Sequence, residues 1–458
     1  MFMDILEGQK LVKNKEYAKA LDFFLNLRKK NIKNTIINFY LGLIYFEFNK
    51  FTKSIFYYNK FLKKEPKSEA GLLNLAIAKQ AIGELVSAKE LYLEVININQ
   101  FNVRAYYGLY LLDVNFLNDD LFKRLYEIYK DKKLNLYQKG IIDFLFSKKA
   151  KKDIENLKEI DYLKKSHKNF YNSNKDYNLS AQFYYNKIIS KFFDKLNIEV
   201  KEKNKNKIDH ELGNPIFIIG LPRSGSTLIE SILTSSEENI ISFGECNVFN
   251  ISIIDQIGPK IYFDKFDSKK FQFTINKEVL NKSIKEKYSQ YSEIKIEKFV
   301  DKSLENFFNI EFIKNIYPNA KFIHTFRNPL DAALSIYQSM LPDLSWTHNI
   351  EDILLYMDHY YKVLEYFKLK YPEIIMDINL EEFTENSEEL SKKIFKFCGL
   401  TWNKNINNFY KRRDLYSKTL SFNQIRSKVL KYNEKKYQSY FNILNDYKDK
   451  YQWLDLSK

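Results

Sequence analysis

The sequence predicts an all-α repeat solenoid followed by a three-layer α/β domain with a mainly parallel sheet, and three observations predict it. Small and aromatic residues recur every 34 positions near the amino terminus. The run Ile216-Phe-Ile-Ile219 is apolar throughout, as strands buried on both faces of a parallel sheet are, and ends at Gly220. A second strand-to-helix switch follows in Ala320–Ser335. The expected organisation is a solenoid over 1–200, a basic linker over 201–212 and the α/β domain over 213–458.

In the first part, Gly8, Gly42 and Ala76 are one period apart, as are Ala20, Ser54 and Ala88, and Phe24, Tyr58 and Tyr92. Small residues in such a series mark where paired helices touch. Leu41 and Tyr45 complete the apolar face of the second unit and Pro66 ends it, while Tyr106-Tyr-Gly-Leu109 and Lys139-Gly-Ile-Ile142 continue the array with drifted spacing. The pattern resembles tetratricopeptide repeats. Each helix pair of such an array buries its face only against its neighbours, so several units stack and present a concave groove. A protein or peptide partner is expected there; a spacer or a dimerisation surface is the alternative use, and the oligomeric state stays open. The apolar-free run Lys201-Glu-Lys-Asn-Lys-Asn-Lys207 marks the expected boundary.

Past that boundary, Gly220-x-x-x-x-Gly225-Ser226-Thr227 has the spacing of a P-loop-like, phosphate-cradling turn, whose backbone N–H groups and helix N-terminus face an anion. A nucleotidase places Lys where this chain has Ser226, although Thr227 is kept and Arg223 adds a cation. An ordinary strand-to-helix turn is the plainer reading. In the second switch, Lys321–Phe326 reads as a strand, Asn328 as an N-cap and Pro329 as the first helical residue, with Asp331 in the first turn. Arg327 then sits at the carboxyl end of a strand, where open α/β sheets bind ligands, and Ser335 lies about two turns into the helix.

Pro222-Arg-Ser-Gly-Ser-Thr227 resembles the 5′-phosphosulfate loop of sulfotransferases that use 3′-phosphoadenosine-5′-phosphosulfate (PAPS), and Arg327 with Ser335 resembles their 3′-phosphate site. With the N-terminal array, the resemblance to bacterial soluble sulfotransferases of the tyrosylprotein type spans nearly the whole chain. It implies that Arg223, Ser224, Gly225, Ser226 and Thr227 hold the 5′-phosphosulfate, that Arg327 and Ser335 hold the 3′-phosphate, and that 3′,5′-diphosphoadenosine is the product. It also implies that Glu245, in Phe243-Gly-Glu-Cys246, is the general base, best served by burial and an upshifted pKa. Lys302, in Val300-Asp-Lys-Ser303, would contact the bridging oxygen. Ser421, in Ser421-Phe-Asn-Gln-Ile425, and Lys436, before Tyr437, match the family's C-terminal cofactor contacts. Each of these has a plainer reading as a solvated loop, helix or surface residue.

Departures from the family pattern bear on the acceptor. Cys246, Asn247 and Val248 stand where protein-tyrosine sulfotransferases carry an Arg for acidic peptides, and Leu380 stands where a cofactor-contacting Tyr is usual. His324 lies on a strand and is read as core rather than as base. The expected reaction moves a sulfuryl group to a hydroxyl, of a protein tyrosine slightly ahead of a carbohydrate or small molecule. No metal is required, since basic side chains can neutralise the leaving phosphate and no cluster has ligand spacing. A P-loop nucleotidase or kinase, or a nucleotide-binding repeat adaptor without catalysis, is the competing reading.

Composition bounds the rest. A net charge of +15 over 458 residues suits anionic nucleotides or glycans. Nucleic acid is the less favoured partner, because the lysines are spread through the chain instead of gathered in a patch. Two cysteines far apart imply no disulfide framework, and a reducing cytoplasm is expected. No apolar stretch approaches the ~18 residues of a membrane span, and the first residues lack the features of a secretion signal.

Overall fold

The computed structural model describes residues 2–30, 34–193, 197–199, 214–238, 240–257, 274–291, 298–412, 417–418, 424–433 and 435–454. Two compact units divide the chain: Met1–Glu159 with Arg412–Arg426, and Ile160–Lys411 with Ser427–Lys458. The expected linker at 201–212 lies outside the described residues. The helices from Ile160 onward, assigned from sequence to the array, group with the second unit. Their polar side chains explain this: His167 Nε2 meets the Tyr337 carbonyl at 2.7 Å and the Tyr185 hydroxyl donates to Glu305 at 2.6 Å.

The first unit is helical, built from hairpins Phe2–Lys13 with Tyr17–Lys29, Ile36–Glu47 with Phe51–Leu62, and Glu69–Ile82 with Leu85–Ile98. The 34-residue recurrence has a direct physical expression in the turns. Lys15, Asn49 and Gly83 all take left-handed backbone, with φ of 59°, 58° and 87°. The next N–H in each, of Glu16, Lys50 and Glu84, returns to the carbonyls of Leu11, Tyr45 and Lys79 at 2.9, 2.8 and 2.9 Å, closing each helix end in the same way. A Cβ on Gly8 would fall 2.5 Å from the Phe24 ring, and one on Gly42 2.7 Å from Tyr58, so the small residue in each pair admits the second helix's aromatic ring. The described residues between Arg412 and Arg426 group with this unit. Ser417 N and Arg426 Nη2 both donate to the Ala81 carbonyl, at 3.2 and 2.9 Å, and Lys418 Nζ donates to that of Glu47 at 3.0 Å.

The second unit carries a five-stranded sheet. Its strands are β2 (Asn214–Gly220), β3 (Ile241–Ser242), β5 (Lys298–Asp301), β6 (Lys321–Phe326) and β7 (Ile375–Asn379), in the order β3-β5-β2-β6-β7. A separate pair joins β1 (Asn197–Glu199) to β4 (Thr274–Asn276). All pairings in the five-stranded sheet are parallel. The central strand β2 is buried from Pro215 to Gly220, and Phe217 stacks on Phe322 of β6 at 5.3 Å between ring centroids. The chain leaves β2 for one side of the sheet and returns to its other side with β6, so the connections diverge at the carboxyl end of β2. Open α/β sheets bind ligands at such a point.

His324 is buried on β6, bonded through Nδ1 to Asp377 at 2.8 Å and through Nε2 to the Tyr360 hydroxyl. Burial keeps its imidazole below the ordinary range despite Asp377, so it serves the core. Among the described residues no helix is long and apolar enough to cross a membrane. Cys246 and Cys398 are buried and unpaired with each other.

Candidate active site

The loop after β2 owes its shape to three residues. Gly220 has φ 143°, and a Cβ there would sit 2.3 Å from the Thr325 carbonyl oxygen, which only glycine tolerates. Arg223 at φ 67° and Gly225 at φ 86° then turn the chain through left-handed backbone. The helix Ser226–Leu233 starts directly after Gly225, with no side-chain cap hydrogen bond among the described residues, so the positive end of its dipole faces the loop. Ser224, Ser226 and Thr227 are buried at this end, and Ser224 Oγ makes no hydrogen bond among the described residues. Leu380 packs against Gly225, where an added Cβ would fall 2.6 Å from Leu380 Cδ1.

Arg327 leaves the adjacent carboxyl end of β6. It is buried, and its Nη1 donates to the Arg223 carbonyl at 3.2 Å, which ties it to the loop. Its Nη2 reaches Asp331 at 3.4 Å and the Tyr432 hydroxyl at 2.5 Å, and the guanidinium lies 5.0 Å from the Tyr432 ring centroid and 5.5 Å from that of Tyr437. Its Nε is buried without a hydrogen bond among the described residues. Asn328 caps the helix Pro329–Tyr337 by accepting from Leu330 N and Asp331 N, which places Asp331 below Arg327 and Ser335 a turn further on. Tyr437 joins the group. Burial would raise its phenol, but Lys436, a hydrogen bond with Ser335, and Arg327 together hold it below its ordinary value. Arg327, Ser335 and Lys436 therefore surround one phenol.

The third side is the carboxyl end of β5. Lys302 is 1 % exposed and lies between two carboxylates, Glu245 Oε1 at 2.6 Å and Glu230 Oε2 at 3.7 Å. The backbone fixes this arrangement: Phe243 N bonds the Val300 carbonyl and Lys302 N bonds the Gly244 carbonyl, each at 2.9 Å, which lays the Gly-Glu segment alongside Lys302. Asp301 anchors the segment from below. It accepts from Tyr288 Oη at 2.6 Å, Ser303 N at 2.8 Å and Cys246 Sγ at 3.2 Å. Burial and Asp301 push the Cys246 thiol well above its usual range, so it is a donor to Asp301 and no nucleophile.

The site differs from the expectation in its carboxylates. Glu245 is half exposed, its side chain 51 % accessible, and not the buried acid that sequence reasoning favoured. Glu230 is the buried one: burial pushes it above the usual carboxylate range against the pull of Lys302 and a 2.5 Å bond from Ser242 Oγ. Sequence reasoning missed Glu230, Asp331's role and Tyr432. The available signal for Glu230 was a lone acid in the apolar run Leu228–Leu233, and nothing local announced Tyr432. Ser421 lies outside the described residues.

Comparison with known proteins fits this geometry. Residues 215–404 match the model of the sulfotransferase family, and that match supports a sulfotransferase activity for the domain holding the loop, Glu245, Lys302, Arg327 and Ser335. An uncharacterized protein of Aquifex aeolicus is 30% identical over 262 residues, 54% of this chain and 33% of the relative. The uncharacterized protein ycf37 of Guillardia theta is 30% identical over 118 residues, 25% of this chain and 66% of the relative. The chain thus spans less than two thirds of each. Among solved structures, sulfotransferase STF1 of Mycobacterium tuberculosis H37Rv aligns with TM-score 0.31 and 11% identity over 74% of this chain and 97% of its own. Sulfotransferase STF9 of Mycobacterium avium aligns with TM-score 0.30 and 11% identity over 73% and 96%. Both are too distant to carry an argument.

Proposed function

We propose that this chain transfers a sulfuryl group from PAPS to an acceptor hydroxyl. The observation that carries this reading is the convergence, at the carboxyl ends of three adjacent strands, of a loop at a helix N-terminus, a buried lysine paired with an accessible glutamate, and a buried arginine. Ser224 Oγ and Arg327 Nε, without hydrogen bonds among the described residues, fit a ligand with anionic groups at both places. Residues Arg223–Thr227 would hold the 5′-phosphosulfate, and Arg327, Ser335 and Lys436 the 3′-phosphate, with Ser421 a further proposed contact.

PAPS supplies an activated sulfuryl group on a phosphate leaving group. Glu245 takes the acceptor's proton as its oxygen bonds to sulfur, a role that its exposure suits. Lys302 donates a hydrogen bond to the phosphate oxygen that keeps the electron pair of the breaking S–O bond. Preorganised charge of this kind is the main resource for such group transfer. The acceptor is read as a protein tyrosine, slightly ahead of a carbohydrate or small molecule. Glu305, buried beside Asn250 and Tyr185 on the segment after Lys302, is a further acid on the side of Glu245, its carboxyl pushed up chiefly by burial, and it offers no cation to a tyrosine flanked by acids. The helical first unit is read as a tetratricopeptide solenoid that holds a protein or peptide partner or a second copy, and the site of action as the cytoplasm.

A thermal-shift titration tests the reading. Stabilisation by 3′,5′-diphosphoadenosine and not by AMP or ATP with Mg²⁺ supports it, because selective binding stabilises the fold by mass action. Stabilisation by ATP with Mg²⁺ alone would replace it with a nucleotidase, and no response with a non-catalytic adaptor.

A further inference from the structure

We propose that Glu230 is a positioning residue for sulfuryl transfer: it holds the Lys302 ammonium from the buried side, so that Glu245, on the open side, can leave that ion pair and take the acceptor's proton. The inference rests on the sulfotransferase reading.

Two carboxylates share one ammonium, and they are not equivalent. The Glu230 side chain is 15 % exposed and that of Glu245 51 %. Glu230 sits on the helix that begins at the anion loop, and Ser242 Oγ fixes its other oxygen at 2.5 Å, so it cannot swing to meet an acceptor. Glu245 lies on a loop, closer to Lys302 at 2.6 Å, and open to solvent.

The difference matters when charge moves. In the reaction Glu245 gains a proton and becomes neutral, so its attraction for Lys302 vanishes as the phosphate oxygen gains negative charge. A buried ammonium with no counterion would tend to discharge. Glu230 stays behind Lys302 throughout, where the ammonium and the Ser242 hydrogen bond favour its charged form against burial. Burial works to discharge Lys302, and Glu245 followed by Glu230 overcomes it, leaving the ammonium above its ordinary range. The other acids near this segment are engaged elsewhere: Asp301 by Tyr288, Cys246 and Ser303, and Glu305 by Tyr185 and Asn250.

The experiment is calorimetric titration of the full chain with 3′,5′-diphosphoadenosine from about pH 8 to about pH 11.5, a window that reaches past the ordinary lysine value, and it needs no acceptor. Removing the Glu230 charge lowers the affinity of Lys302 for its proton. In Glu230→Gln the loss of ligand affinity on the alkaline side should therefore begin about one pH unit lower than in the wild type. Glu230→Asp should restore part of the shift. In a Lys302→Met background, Glu230→Gln should produce no shift, which assigns the effect to Lys302 instead of Lys436. Ser242→Ala should move the curve the same way by less, and it serves if Glu230→Gln fails to fold. Superimposed wild-type and Glu230→Gln curves, or a shift that persists without Lys302, would overturn the proposal. Absence of wild-type binding at every pH would instead remove the sulfotransferase reading, and the proposal with it.

Discussion

Arg327 and Asp331 form a buried pair one helical turn apart, with Nη2 and Oδ2 at 3.4 Å and the Tyr432 hydroxyl bonded to both. The pair holds the guanidinium at the carboxyl end of β6. If Arg327 recognises the 3′-phosphate, Arg327→Ala should weaken 3′,5′-diphosphoadenosine binding on the order of a hundredfold, the scale for truncating one partner of a buried charge pair. AMP binding should change little. Calorimetry with the two ligands decides, and equal loss for both would sink the assignment.

Asp331 should make stability depend on pH. Burial pushes its carboxyl from 3.8 to about 6, against the pull of Arg327. The folded state then holds this proton more tightly than the unfolded state. The contribution is fully present below the ordinary value and is lost as pH rises through about 6. Asp331→Asn cannot titrate, so its melting temperature should lose this part of the fall between pH 3.8 and about 6. Parallel melting curves against pH for the two proteins would show the inference to be mistaken.

Glu245→Gln should bind 3′,5′-diphosphoadenosine nearly as the wild type does, because Glu245 is exposed and pairs with Lys302. Turnover should fall by about 10²–10⁴, the usual size of a general-base contribution. Binding is read by calorimetry and turnover by product release in a single-turnover assay. Retained activity would remove Glu245 as base.

Gly220→Ala should destabilise the second unit by about 2 kcal/mol or more, because its Cβ meets the Thr325 carbonyl and its φ of 143° disfavours a side chain. A denaturant melt measures this. An unchanged midpoint would mean that the loop relaxes.

Lys15→Gly should stabilise the first unit by about 0.5–1 kcal/mol, since a non-glycine residue pays for left-handed backbone and Lys15 is exposed. Gly83 already occupies the equivalent turn. A rise in melting temperature is the expected result, and a fall would show that the lysine side chain contributes more than its backbone costs.

Much of the site was legible because its parts are short and local. The strand Ile216–Ile219, the glycines that end and turn it, and the Asn328-Pro329 cap with Asp331 in the first turn each depend on a few neighbouring backbone residues. The 34-residue recurrence was legible at Gly8, Gly42 and Ala76, where size decides helix contact. It was hidden at Lys15 and Asn49, whose left-handed backbone no glycine announces. Glu245 was singled out by its segment, while its exposure was misjudged, since exposure depends on what packs around a loop.

The sequence by itself determined the strands, the loop that suits an anion, the helix starts and the period of the array, because hydrophobic spacing and allowed backbone angles are local properties. Tertiary structure alone decided that Lys302 has two carboxylates of unequal exposure, that Tyr432 joins Arg327, and that Leu380 packs against Gly225. Those partners lie 57 to 155 residues apart. They meet because of the order in which parallel strands pair, and that order follows from how all the apolar faces are buried together, which no single segment specifies.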